Sequence, residues 1–191
     1  MRRQLVAAIV VFLALTILTG LAYPLAVTGI VQAAFSARAD GSLIERDGDV
    51  VGSRLIGQAF SDPRYFHPRP SAAGDGYDAM ASAPSNLGPT NEELLSAARQ
   101  RGAEYREENR LGADARVPID AVTASASGLD PHISPANARL QASRVARARG
   151  LALDEVLALV REFTDGRSLG FLGEPGVNVL ELNMALDGER R

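Results

Sequence analysis

Residues 5–35 read LVAAIVVFLALTILTGLAYPLAVTGIVQAAF, and the run from Gln4 to Ala37 carries no charged side chain. Roughly 20 mostly apolar residues in a helix cross the hydrocarbon core of a bilayer, and this block is longer than that. No other segment of the chain qualifies. The block therefore predicts a membrane anchor over residues 1–39 and a single soluble domain over residues 40–191. A cleaved signal peptide has an apolar core of only about 7–15 residues followed by a small-x-small site. Ala37-Arg38-Ala39 has that form, but the length of the run favours a retained anchor. The Arg2-Arg3 pair lies too close to the terminus to make a good twin-arginine signal.

Flanking charge sets the expected orientation. Arg2 and Arg3 precede the span. Arg38 is the only basic residue beyond it before Arg46, and Asp40 and Glu45 lie between the two. Positive-inside bias then places the N-terminus in the cytoplasm and the C-terminal domain outside. Inside the span, Thr19-Gly20 and Thr28-Gly29 offer small or hydroxylated contact points for another helix. Tyr23-Pro24 should kink or loosen the helix. A lone anchor needs neither feature, so Thr19, Gly20, Tyr23, Pro24, Thr28 and Gly29 are expected to pack against a partner. With no charged side chain in the span, this helix is not expected to carry an ion itself.

Composition excludes several chemistries. All 20 basic residues are arginine, and 17 of them share residues 40–191 with all 23 acids, so that part is net −6. It is not a nucleic-acid binder by bulk charge. Without lysine there is no P-loop and no lysine-containing P-type phosphorylation motif. Without cysteine there is no disulfide, cysteine zinc site or thiol catalysis.

The domain is expected to be α+β, mostly helical with a small sheet. Residues 40–50 read as a turn-rich exit from the membrane, and Val50–Gln58 as a strand bounded by glycines. Residues 62–89 are rich in Pro, Gly, Ser and Ala, with Tyr65, Phe66 and Tyr77 as anchors; long loops of this kind are often functional. Thr90-Asn91-Glu92-Glu93 has capping-box form with Thr90 as N-cap, opening a helix to Asn109. Ser134-Pro135 opens another, which ends at Gly150. Its arginines, Arg139, Arg144, Arg147 and Arg149, are assigned to a polar face, with Leu140 and Val145 turned inward. A third helix covers Leu153–Phe163. Asn178 and Glu181 are in capping-box spacing, with Val177 and Leu182 as a staple, so the last element reads as a helix.

The two histidines are His67 and His132. His132 lies in the run Thr123–Pro135, which also holds Ser125, Ser127 and Asp130. A serine hydrolase using Ser125 or Ser127 is the alternative from a different functional class, but the G-x-S-x-G elbow is missing. His67, His132 and Asp130 have no metal-ligand spacing, so neither a catalytic nor a metal site is assigned. A tight turn satisfied by small hydroxyls accounts for the run.

These residues also carry a resemblance. Thr19-Gly20 and Tyr23-Pro24-Leu25 are followed by Gly52-Ser53-x-Leu55-Ile56-Gly57-Gln58 and by Tyr65-Phe66-His67-Pro68-Arg69-Pro70-Ser71. Then come Ser85-Asn86-Leu87-Gly88-Pro89-Thr90-Asn91, the Thr123–Pro135 run, Gly173-Glu174-Pro175 and Val177-Asn178-Val179-Leu180-x-Leu182-Asn183. In this order, from end to end, the chain resembles the C subunit of the bacterial Kdp potassium-transporting P-type ATPase, the KdpC family.

The resemblance implies a non-catalytic, single-span subunit of an ATP-driven potassium importer in the bacterial inner membrane. Its implied partners are a channel-like potassium-translocating subunit, the P-type ATPase subunit and a small peptide subunit, within membrane lipid. No cofactor is covalently bound; ATP would be shared with the ATPase subunit. Two implied roles pull apart. One is a catalytic chaperone that raises the affinity for ATP, with a helix glutamine, here Gln141, touching nucleotide. The other is an external cap over the potassium entrance, which fits the charge reading. On that second view Gln141 is an ordinary solvated helix residue. Tyr65, Phe66, His67, Arg69, Asn86, Asn91, Asp130 and His132 are then candidates for contact with partner proteins. A scaffold for another membrane complex makes the same single-span prediction.

Overall fold

The apolar run folds as one long helix. In the computed structural model, which describes residues 1–188, α1 (Arg2–Ile17), a π-helical turn (Leu18–Ala22) and α2 (Tyr23–Ala39) follow without interruption. Together they form a 38-residue helix, Arg2–Ala39, long and apolar enough to cross a membrane and with its apolar window wholly uncovered. The loosening expected at Tyr23-Pro24 is the π-helical turn. In regular α geometry the Pro24 ring would collide with the carbonyl four residues back. The chain widens instead, and the Tyr23 N–H donates to the Leu18 carbonyl, five residues back. A second irregularity lies at Phe35, where φ −144° and ψ 46° leave helical geometry.

By its internal contacts the chain divides into two units, Met1–Val51 and Gly52–Arg191. After the helix, β1 (Leu43–Arg46), in a stretch expected to be only turns, pairs as a hairpin with β2 (Asp49–Ser53), which overlaps the start of the expected strand. Its turn is Asp47-Gly48, with φ 52° and 89°. Asp-Gly is a favoured pair where both central residues need positive φ. The strand predicted over Val50–Gln58 stops at Ser53. There the Ser53 Oγ accepts from the Leu55 N–H at 3.1 Å, its carbonyl accepts from Ile56 at 3.3 Å, and the chain turns.

The second unit holds four of the expected elements and one small sheet. α3 (Glu92–Asn109) starts one residue later than the capping-box reading required. Asn91, not Thr90, is its N-cap, accepting from the N–H groups of Glu93 at 2.8 Å and Leu94 at 3.4 Å. α4 (Pro135–Arg149) is capped by Ser134 and closed by Gly150 at φ 68°. α5 spans Leu153–Glu162, and α6 (Val179–Leu186) is capped by Asn178. The sheet is antiparallel in the order β3 (His132–Ile133), β5 (Gly176–Asn178), β4 (Thr164–Asp165). Ile133 and Thr164 both stand opposite Val177.

The core forms where α4 packs on α5 and both meet the sheet and α6. Ala138, Ala142, Val145 and Ala146 of α4 face Val156, Val160 and Phe163, with Val177, Val179 and Leu182 beside them and Phe66 inserted from the long loop. Small residues one helical turn apart on α4 let the neighbouring backbone come close. Val177 and Leu182, expected as a staple, are both fully buried.

Candidate functional site

α4 carries a second buried stripe next to its apolar one. Asn137, Gln141 and Arg144 follow each other at helical spacing and are 1%, 1% and 5% exposed. The assignment of every α4 arginine to a polar face is therefore corrected at Arg144, and the solvated reading of Gln141 is corrected with it. Leu140 is half-buried while Val145 lies in the core.

The stripe is saturated by hydrogen bonds within the chain. The Gln141 Oε1 accepts from the His67 N–H at 2.7 Å, and its Nε2 donates to the His67 carbonyl at 3.0 Å. The same Nε2 donates to Asn137 Oδ1 at 2.9 Å, and Arg144 donates to Oε1 at 2.8 Å. A primary amide has two donors and two main acceptor sites, so all four are taken. Asn183 of α6 repeats the motif one residue earlier, accepting from the Phe66 N–H at 2.8 Å and donating to its carbonyl at 3.0 Å. Two side-chain amides thus dock successive residues of the loop as a paired strand would.

Arg144 completes the clamp. Its Nη1 donates to the carbonyls of Pro63 at 2.6 Å and Tyr65 at 2.9 Å, and its Nε to Asn109 Oδ1 at 3.1 Å. Asn137 is itself held: it accepts from the Tyr105 hydroxyl at 2.8 Å and donates to Asp120 at 3.0 Å. Asp120 also accepts from the N–H and Oγ of Ser134, at 2.8 and 2.9 Å. At the far end of α4, Arg149 donates to the carbonyls of Arg64 and Leu186 and to Asp187, with its guanidinium 4.8 Å from the Tyr65 ring centroid. The Tyr65 hydroxyl donates to Asp187 at 2.9 Å. The segment Pro63–His67 is thus fastened to α4 and α6 along its length, and is no freely moving surface loop.

The remaining sequence candidates separate by place. Phe66 is fully buried in the core. His67 pairs through Nδ1 with Glu108 at 2.7 Å, while its Nε2 faces the Asp62 carbonyl at 3.1 Å. The bond from His67 holds the Glu108 carboxyl below its ordinary range, against the opposing effect of burial. Arg69 donates to Asp130 at 3.0 Å. Burial alone would raise the Asp130 pKa; its bonds from His132 and the nearby Arg69 outweigh burial and lower it. The bond to Asp130 raises that of His132, with desolvation working the other way. Asn86 is exposed at φ 54°, and Asn91 is the α3 cap. Ser125 and Ser127 lie within hydrogen-bonding distance of each other, 3.4 Å, and Ser127 Oγ accepts from the Leu129 N–H. Among the described residues neither is bonded to His132, and no three His, Asp or Glu side chains converge as a metal site requires.

Arg69 lies between two open clefts. One, of about 390 Å³, is lined by His67, Tyr77, Tyr105, Glu108 and Gln141 among others. The other, of about 490 Å³, is rimmed by Asp130, His132, Asp165 and Glu174. Sequence reasoning missed Asn137, Arg144, Asn183, Glu108 and Asp120 as members of the network. The 137/141/144 spacing was a usable signal on α4. Nothing local announced Asn183, whose partner is 117 residues away.

The fold therefore defines a class: a chain with, among the described residues, one helix long and apolar enough to cross a membrane, followed by an α+β unit whose buried polar groups bond one another. Comparison with known proteins supplies the family. A family model described as KdpC, the K+-transporting ATPase c chain, matches residues 5–188. The potassium-transporting ATPase KdpC subunit of Mycobacterium tuberculosis H37Rv is 60% identical over 187 residues, 98% of this chain and 99% of that one. That of Rhodospirillum rubrum is 60% identical, covering 98% and 96%, and that of Koribacter versatilis 49% identical, also covering 98% and 96%. The chain belongs to the KdpC family.

Proposed function

We propose that this chain is the non-catalytic accessory subunit of a high-affinity, ATP-driven potassium import pump. It sits in the bacterial cytoplasmic membrane by its N-terminal helix, with the α+β domain outside. It acts by assembling and stabilising the complex, beside a channel-like potassium subunit, a P-type ATPase subunit and a small peptide subunit. The observation that carries this reading is the end-to-end match to potassium-transporting ATPase KdpC subunits, at 60% identity over 98% of the chain. The uncharged span supports it from physics, because an ion path across the bilayer needs polar or charged groups and these must then lie in a partner.

Of the two roles the family suggests, the external assembly role fits the geometry better than direct contact with nucleotide through Gln141. At 1% exposure and with all four hydrogen-bonding positions engaged, its amide would have to release His67, Asn137 or Arg144 before meeting a ligand. Purification through a tag on this chain, from native membranes in mild detergent, tests the proposal. A P-type ATPase and a large channel-like membrane protein should come with it. Recovery of the chain alone would sink the reading.

A further inference from the structure

The π-helical turn leaves a backbone acceptor without a donor near the middle of the apolar helix. In an α-helix the Thr19 carbonyl would accept from Tyr23, but that N–H donates to Leu18. The next N–H along the chain would be that of residue 24, and Pro24 has none. The same proline removes the regular donor for the Gly20 carbonyl. The Thr19 hydroxyl offers no relief, because it donates backwards to the Leu15 carbonyl at 2.7 Å. Residues 19 and 20 lie close to the centre of the uncharged run Gln4–Ala37, where no water is available and an unsatisfied carbonyl costs several kcal/mol.

The surface at this point is open. Residues 19 and 20 are exposed, and a β-carbon placed on Gly20 would meet nothing nearer than Thr16 Cγ2 at 4.0 Å. Broken hydrogen bonds are tolerated in membrane helices where a neighbouring helix supplies the missing partner.

We propose that the Thr19 carbonyl, reached across the bare face of Gly20, accepts a hydrogen bond from a donor side chain on a neighbouring transmembrane helix of another subunit. A neutral hydroxyl or amide of Ser, Thr, Asn or Gln suits the uncharged surroundings. This rests on the reading that the chain works within a multisubunit membrane complex, and adds the chemistry by which its span is held.

The test uses chain labelled with [1-¹³C]threonine, studied by solid-state NMR both alone in detergent and within the purified complex. Thr19→Ser identifies the Thr19 carbonyl signal by its disappearance. The expected result is a downfield shift of that signal on assembly. Pro24→Ala, which restores an N–H, should abolish the shift and lower co-purification of membrane partners about three- to tenfold, the range of an interhelical hydrogen bond. A Thr19 signal unchanged on assembly overturns the proposal, as does one already shifted in the isolated chain, since water or detergent would then be the donor. Full partner recovery with Pro24→Ala overturns it too. If the wild-type chain recovers no membrane partner, the subunit reading fails with it. An unshifted carbonyl in a complex that does form removes only this inference.

Discussion

Gln141 is the residue at which a ligand role and an architectural role make different predictions. Gln141→Ala strands the part-buried N–H and carbonyl of His67 and removes partners from the buried Asn137 and Arg144. Each unsatisfied buried group costs about 1–3 kcal/mol, so the variant should lose roughly 2–4 kcal/mol in urea denaturation followed by tyrosine fluorescence. Arg144→Lys should behave similarly, because one ammonium cannot span the acceptors on Pro63, Tyr65, Asn109 and Gln141 that the planar guanidinium reaches. The Asp130–His132 pair predicts a pH dependence. The depressed Asp130 stabilises above the unfolded carboxylate value of 3.8 and is lost as pH falls through its lower folded value. The raised His132 stabilises below the unfolded value of 6.5 and is lost as pH rises through its higher folded value. Both contributions are present together between those limits, so thermal midpoints should fall on either side, and His132→Asn should flatten the alkaline limb. Little of this was legible beforehand. Gln141 and His132 were marked by the motifs around them, but whether a polar side chain is buried depends on what folds over it.

At the scale of elements, the helices were the most readable part, because their signals are local. Ser134-Pro135 with Gly150, and Asn178 with Glu181, state where α4 and α6 begin and where α4 ends. The shift from Thr90 to Asn91 at α3 shows the limit of that reading: two adjacent capping residues compete, and the geometry selected the second. The strand forecast through Gln58 failed because long-range bonds win there. The Gly57 N–H donates to the Leu129 carbonyl at 2.8 Å, and a β-carbon on Gly57 would stand 2.7 Å from the Asp130 carbonyl oxygen. Gly128 is held in the same junction at φ 69°, where a β-carbon would approach the Ala73 nitrogen to 2.7 Å. Gly128→Ala should therefore destabilise the unit by about 2 kcal/mol or more, from backbone strain and the clash together. It should also release residues 71–83, which the turn holds through Ser71, Ser82 and Ala83. Limited proteolysis would read this as faster cleavage near Met80, already exposed, than in the unaltered chain.

For the whole molecule, the division of labour follows from where polar groups are free. The span carries no charged side chain, and Gln141 has no hydrogen-bonding position to spare, which favours the proposed assembly role over direct handling of ion or nucleotide. The membrane-length helix was legible from the first 40 residues, whereas the loop that closes over α4 was not, since its contacts lie some 80 residues apart in sequence. If the domain is outside, a broad-specificity protease added to intact cells should cut near Met80, which is 98% exposed; protection of that segment until the membrane is opened would reverse the orientation. The most direct test of the assembly account is the KM for ATP of the fully assembled pump carrying Gln141→Ala or Asn183→Ala. Both clamps hold the same loop, so both variants should lower the yield of complex alike, and the complex that does assemble should keep the wild-type KM. A KM raised by Gln141→Ala and unchanged by Asn183→Ala would contradict the account and make Gln141 a nucleotide contact.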